Sequence, residues 1–258
     1  MADVPRRPAT SIDDVITRML EIDRDYPPSD GVAVFNRMYL TVTQAVKDAT
    51  DRSYFANSSF LEVLDVRFAN LYFDALELEL QSLPGPACWN VLWRHRDSPA
   101  RAPLQFALAG MSAHINHDLV LAVIETLADF GSSPHDTAMH ADFNRVNTLL
   151  DELQPQIRHS FITAIPSTGA FDHLESHISD WSITRARAVA WEDAKVLWHV
   201  RNRPELRRHY EELLDHAVAA AGACLLLPIE QHHHVPDHAC GTQTPLLATV
   251  EGLSAAPR

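Results

Sequence analysis

The stretch FALAGMSAHINHDLVLAVIETLADFG, residues 106–131, decides the fold of this chain. Its apolar side chains cover nearly the whole circumference of a helix, which is typical of a helix buried at the centre of a protein. It nevertheless carries ionisable residues, among them the four residues His114, His117, Asp118 and Glu125. At about 100° per residue, these four fall on one stripe of an ideal helix. The sequence therefore predicts a central helix with a polar stripe.

The polar stripe needs a physical explanation, because an unpaired charge in an apolar core costs several kcal/mol, to order of magnitude. His114 and Asp118 are one turn apart, so their side chains lie side by side. This spacing suits two ligands of one metal ion, or a catalytic base oriented by a carboxylate. A structural hydrogen bond between the two residues is an equally good interpretation. The spacing alone leaves these alternatives open.

The composition indicates a soluble globular protein, with 46% hydrophobic and 21% charged residues in a chain of 258. We expect one all-helical domain over residues 11–228, a flexible lead-in over residues 1–10, and a mobile tail over residues 229–258. A formal net charge of −13 argues against nucleic acid or an anionic membrane as the main partner. The tail histidines would bind metal adventitiously, so they do not indicate a site.

Three cysteines, Cys88, Cys224 and Cys240, form no CxxC pair and argue against a disulfide framework. The N-terminal sequence lacks the apolar core of a signal peptide, and no uninterrupted apolar run reaches the length of a membrane span. We therefore expect a cytoplasmic protein without a membrane anchor.

Helical periodicity dominates the chain, and few stretches alternate with period two, so strands should be nearly absent. The expected architecture is all-α, a single-domain bundle or array of about eight helices around the buried central helix. The predicted helices run from Ser11 to Tyr26, Val32 to Ala49, Ser58 to Leu83, Ala87 to Trp93, Pro103 to Gly131, Asp142 to about Thr163, Asp172 to Arg203, and Glu205 to Leu227.

A second group of polar residues, His140, Asp142 and Asn144, opens the helix predicted after the central one. Capping of backbone N–H groups is the slightly preferred interpretation of Asp142. The first turn of that helix could instead lie beside the polar stripe, because the intervening loop is of ordinary length. Asp142 would then be a catalytic residue, with Arg145 and Asn147 also near the pocket.

A third group is His173-x3-His177, two histidines on one helix face at a recognised metal-ligand spacing. The order differs from HExxH, because Glu175 occupies the third place, so a zincin assignment fails. A solvated helix face is the favoured alternative, since fifteen histidines produce one such pair by chance.

A fourth group is Trp181-x3-Arg185, which continues to Arg187, Trp191 and further aromatic residues. Tryptophan and arginine at this density can stack around an organic ligand or bind an anionic group. Packing between helices with one buried ion pair explains the same pattern. We therefore keep Trp181 and Arg185 as candidate ligand-binding residues.

The run from Gly110 to Leu119, followed by Asp142-Phe-Asn-Arg-Val-Asn147, resembles an uncharacterised bacterial family of helical proteins with the paired motifs MNAHINxDL and DxxRVN. The resemblance would cover most of the chain and implies an all-helical fold. It singles out His114, Asn116, Asp118, Asp142 and Asn147, and it makes His117 a weaker candidate.

A remoter similarity, limited to Ala113-His114-x3-Asp118, is to the all-helical zinc-dependent phospholipase C and nuclease group. There, His-x3-Asp on buried helices supplies zinc ligands. This sequence lacks that group's N-terminal tryptophan ligand and a second clear His-x3-Asp. The similarity therefore does not extend to a three-zinc site.

These patterns predict an enzyme with a buried pocket built from His114, Asp118 and Asp142, acting on a small-molecule substrate. If a divalent metal binds, with His114, Asp118, His173 and His177 as candidate ligands, zinc, iron or manganese fits the donors. Hydrolysis of an ester or phosphoester is then the expected reaction. The alternatives are a metal-independent acid–base enzyme, such as a cyclase or isomerase of a hydrophobic molecule, and a non-enzymatic ligand-binding module. Nothing in the sequence indicates the oligomeric state.

Overall fold

The structure is a computed structural model that describes residues 7–162 and 182–228. Within these ranges the chain forms eight helices and no strand, so the all-α prediction is confirmed. The helices are α1 (Ile12–Asp25), α2 (Gly31–Asp51), α3 (Ser58–Leu80), α4 (Ala87–Trp93), α5 (Pro103–Asp129), α6 (Thr137–Ile162), α7 (Ile183–Val200) and α8 (Pro204–Leu225).

Helix α5 is the central helix that the sequence predicts. Its first segment, Pro103–Ala113, packs against α2 and α8, while its last segment, Leu119–Asp129, packs against α3 and α7. Ten of the eleven residues in the first segment and seven of the eleven in the last segment are buried. Helix α5 thus brings the surrounding helices together around the residues at its middle.

The middle of α5 departs from α-helical geometry. Residues His114–Asp118 form a π turn, in which the backbone N–H of Leu119 donates to the carbonyl of His114, five residues back. One extra residue in the helical ladder delays all later side chains by about 100°. Glu125 therefore leaves the predicted stripe. It is exposed and forms ion pairs with Arg67 and Arg207.

Helix α5 is also, among the described helices, the one long and apolar enough to cross a bilayer by length and composition alone. The mean hydropathy of its most apolar window is 1.3, and 83% of that window is buried inside the protein. The sequence-based expectation counted only uninterrupted apolar runs, and His114, His117 and Asp118 interrupt this one. Burial of this extent is that of a core helix in a globular protein.

The ends of the domain differ in part from expectation. Ala9, placed by the sequence in a flexible lead-in, exchanges two hydrogen bonds with the side-chain amide of Asn70, each of 2.9 Å. Residues 1–6, the predicted tail over residues 229–258, and the predicted start of a helix at Asp172 lie outside the described residues.

Candidate functional site

The carboxylate of Asp118 organises the polar centre of the protein. Its Oδ2 accepts hydrogen bonds from Trp89 Nε1 and His114 Nδ1, both at 2.9 Å, and its Oδ1 accepts one from His117 Nδ1 at 2.7 Å. All four residues are buried. Burial raises the pKa of Asp118, but hydrogen bonds from the two histidines outweigh it and leave the pKa below its ordinary value. Asp118 is thus ionised at neutral pH.

The imidazole of His114 is held on three sides. Its ring stacks on Phe68 with the centroids 3.5 Å apart, and Tyr39 meets it edge-on at 4.4 Å. Burial lowers the pKa of His114 more than the hydrogen bond to Asp118 raises it, so the ring is neutral at pH 7. With Nδ1–H donating to Asp118, Nε2 carries the lone pair. This buried Nε2 has no hydrogen-bond partner among the described residues.

A cavity of about 80 Å³ lies beside His114. Besides Tyr39, three of its lining residues are ionisable, namely Asp65, His114 and Arg187. The others are apolar or aromatic and come mainly from α2, α3, α5 and α6: Phe35, Met38, Tyr39, Val42, Val46, Leu61, Leu64, Phe68, Met111, Ile115, Leu119, Val146, Leu150 and Ile183. The volume is several times that of one water molecule, so the cavity can hold a small apolar group next to the imidazole.

Asp65 and Arg187 bring opposite charges to this cavity. Burial raises the pKa of Asp65 to about 7, although Arg187 acts in the opposite direction. Burial also lowers the pKa of Arg187 to about 10, against the influence of Asp65. The guanidinium donates to Asn147 Oδ1 at 2.8 Å and to the carbonyl of Phe143 at 2.7 Å. Arg187 is therefore a fixed cation, and Asp65 exchanges its proton near neutral pH.

The candidate ligand-binding residues are dispersed in the structure. Asn147 supports the cavity through Arg187. Asn116 is half-buried, and its amide donates to Ser112 Oγ at 3.3 Å. Arg185 is exposed, and its backbone N–H donates to the helix-capping Ser182. His173, His177 and Trp181 lie outside the described residues.

Asp142 does not join His114 and Asp118. Helix α6 begins at Thr137, because Asp136 accepts hydrogen bonds from the backbone of Ala138 and Met139. Asp142 consequently lies in the second turn of the helix and reaches across to α3. There it accepts hydrogen bonds from the backbone N–H groups of Ala56 and Asn57, at 3.1 and 2.6 Å. Asp142 thus binds backbone N–H groups, as the capping interpretation expects, but at the start of α3 instead of its own helix, and it does not line the cavity beside His114.

Asp65 and Arg187 were missed as site residues, although their spacing contained a signal. Asp65 follows Leu61 by four residues and precedes Phe68 by three, so it lies on the buried stripe of α3. Arg187 precedes Trp191 by four residues on the buried side of α7, whereas Arg185 faces away. The signal for both residues is a charged side chain that falls at the helical spacing of a stripe of apolar residues.

One group of described residues could hold a metal ion. The ligand atoms of Cys88, His117 and Asp215 all lie within 4.8 Å of one another. By contrast, His114 and Asp118 are hydrogen-bonded to each other, and Asp118 also accepts hydrogen bonds from Trp89 and His117. The metal-ligand pair predicted from the sequence is thus used for hydrogen bonding in this structure.

Residues 12–228 match the model of a family described as "Family of unknown function (DUF5995)". No curated protein and no solved structure matches the chain. The match covers every described helix.

Proposed function

The chain belongs to this family of unknown function, and we propose that it is a metal-independent acid–base enzyme acting on a small, largely apolar molecule. One observation carries the proposal: the unpartnered Nε2 of His114, beside a cavity with mostly apolar walls. A buried polar atom without a partner costs about 1–3 kcal/mol. A substrate atom in the cavity would supply the missing partner.

The imidazole, guanidinium and carboxyl groups of the cavity have complementary roles in a proton-transfer reaction. Neutral His114 serves as the base, oriented by Asp118, and Arg187 offers a fixed positive charge to a substrate oxygen. Asp65, with a pKa of about 7, can act as the acid that supplies a proton to the substrate. Such groups suit isomerisation of an apolar carbonyl compound. In a β,γ-unsaturated carbonyl compound, His114 would take the proton from the carbon between the carbonyl and the double bond, Arg187 would stabilise the dienolate oxygen, and Asp65 would protonate the γ carbon. Return of the proton from His114 to Asp65 through solvent would then restore both groups.

The metal-dependent hydrolase, which was the main prediction from the sequence, has less support. Three of the four lone pairs of the Asp118 carboxylate accept hydrogen bonds, and Asp142 binds the start of α3. A non-enzymatic binding module would use the same cavity without proton transfer. A reaction assay therefore distinguishes it from the acid–base enzyme. A net charge of −13 supports a small molecule as the partner over nucleic acid or an anionic membrane.

The test follows deuterium from D2O into the carbon beside the carbonyl of short apolar ketones and aldehydes, by proton NMR. We expect the wild-type protein to accelerate exchange for members that fit the cavity. His114→Gln should lower the rate by about 10²-fold or more, because the base is lost. His140→Gln is the matched control, because His140 is half-buried and stacks on Trp191, outside the cavity.

Two results would contradict the proposal. Folded His114→Gln protein that exchanges as fast as wild type would exclude His114 as the base. Panel members that bind the wild-type protein, seen as a rise in its thermal midpoint, without any exchange would favour the binding module instead.

A further inference from the structure

A second group of chemically reactive residues lies on the other side of Asp118. Cys88 is in the first turn of α4, His117 in the π turn of α5, and Asp215 on α8. Cys88 and His117 are buried, Asp215 is half-buried, and their ligand atoms lie within 4.8 Å of one another. The proposed acid–base reaction uses none of the three.

His117 is oriented as metal-binding histidines are. Its Nδ1 is bonded to Asp118 Oδ1 at 2.7 Å, which leaves Nε2 as the ring atom that can bind a metal. A carboxylate on the far nitrogen of a ligating histidine fixes the tautomer and strengthens the ligand. The same carboxylate, that of Asp118, also accepts a hydrogen bond from His114. It therefore connects the group of Cys88, His117 and Asp215 with the cavity beside His114.

Asp215 is also held in position. Its two oxygens accept the backbone N–H groups of Ala87 and Cys88, each at 2.8 Å. A carboxylate oxygen has two lone pairs, so each oxygen retains one for a further partner. The same contacts anchor Cys88 beside Asp215.

We propose that Cys88, His117 and Asp215 form a zinc site with a fourth position open to water. A thiolate, an imidazole and a carboxylate are zinc ligands, and sulfur selects zinc over magnesium or calcium. The thiolate and carboxylate charges balance those of Zn²⁺, which removes the cost of burying a free ion. Ligand atoms around a tetrahedral zinc are about 3.3–3.8 Å apart, and those of the three residues lie within 4.8 Å of one another, so they need to approach by at most about 1.5 Å. Zinc would thereby join α4, α5 and α8.

The test uses Co²⁺ as a spectroscopic probe in the full-length protein. A thiolate bound to Co²⁺ gives a near-ultraviolet charge-transfer band that histidines and carboxylates alone do not give. We expect one Co²⁺ per chain with this band, displaced by one equivalent of Zn²⁺. Cys88→Ser should abolish the band, whereas the control variants Cys224→Ser and Cys240→Ser should keep it. The second control excludes a site formed by the histidine-rich tail.

His117→Gln and Asp215→Asn provide an independent measure if Cys88→Ser fails to fold. Each removes one ligand, so Co²⁺ affinity should fall at least tenfold in folded protein, as judged by circular dichroism. Absence of the band in wild-type protein, its persistence in folded Cys88→Ser, or its loss in Cys240→Ser would overturn the proposal. So would unchanged affinity in both ligand variants. None of these outcomes depends on the carbonyl-exchange assay, so this proposal and the proposed function fail separately.

Discussion

The ring of Phe68 lies parallel to that of His114, at 6° and with the centroids 3.5 Å apart. Phe68 belongs to α3 and His114 to the π turn of α5, so the stack joins two helices that are far apart in sequence. Together with the bond to Asp118, it leaves the imidazole little freedom to rotate. The proposed base is thereby fixed before any substrate binds, which is what efficient proton transfer requires.

Phe68→Leu should weaken catalysis more than it weakens folding. We expect a loss of stability of about 1–2 kcal/mol, because a buried aromatic pair is removed and a small cavity is left. The carbonyl-exchange rate should fall further than in Phe60→Leu. Phe60 is also buried on the same helix but does not line the cavity. Equal exchange rates in the two variants would show that the stack does not position His114.

Asp118→Asn should be among the most destabilising single substitutions. The amide retains one accepting oxygen for the donors Trp89, His114 and His117, and its NH2 group faces one of them. Breaking a buried charged network of this kind costs about 3–5 kcal/mol, measured by urea unfolding. Asp48→Asn, on the exposed face of α2, should change stability by about 0.5 kcal/mol or less. A similarly small effect at Asp118 would mean that its hydrogen bonds contribute little.

Asp65 should make stability depend on pH. Its pKa is about 7 in the folded protein, against an ordinary value of 3.8, so between these values the native state binds more protons than the unfolded state. Its contribution to stability is therefore complete below pH 3.8 and is lost as the pH rises through 7. Asp65→Asn should exceed wild type in free energy of unfolding at pH 8, with a smaller difference at pH 5. A difference independent of pH would contradict the raised pKa.

The helices could be predicted because their signals are local. The ends of α4 are where Pro86 and the polar turn after Trp93 place them, and α3 begins at the predicted Ser58. The burial of His114 and Asp118 followed from the apolar circumference of α5. These inferences needed only residues within a few turns of one another.

The rest of the site depends on contacts between distant segments. Trp89 meets Asp118 from 29 residues away, and Asn57 meets Asp142 from 85 residues away, so helical spacing has no information about either pair. The π turn adds a local error, because ideal α geometry keeps Glu125 in phase with His114. The π turn is favoured because the carboxylate of Asp118 accepts hydrogen bonds from two histidines there, but a sequence pattern does not reveal this turn.

Asp142→Ala should loosen α3 and leave the start of α6 intact. Burial raises the pKa of Asp142, but hydrogen bonds from Asn57 and Ala56 outweigh it, so the carboxylate is charged and binds the N-terminus of α3. We expect a loss of about 1–3 kcal/mol and faster amide hydrogen exchange at the first turn of α3. Asp136→Ala is the matched control and should accelerate exchange at Ala138 and Met139 instead. Faster exchange at α6 in both variants would restore the local-cap interpretation of Asp142.

Two glycine-to-alanine substitutions should have opposite effects. A Cβ at Gly110 of α5 would lie 2.4 Å from Phe35 Cδ2 and 2.9 Å from Phe35 Cβ, so α2 and α5 would have to separate. Overpacking of this kind costs about 1–3 kcal/mol, more than the gain of about 1 kcal/mol in helix propensity. At Gly222 of α8 the nearest atom would be Val91 Cγ1 at 3.8 Å, an ordinary contact. Gly222→Ala should therefore stabilise the protein by about 0.5–1 kcal/mol in urea unfolding.

Since Phe35 lines the cavity, a Gly110→Ala variant as stable as wild type would mean that the cavity wall yields at little cost. In that case the shape of the cavity would not limit which molecules reach His114.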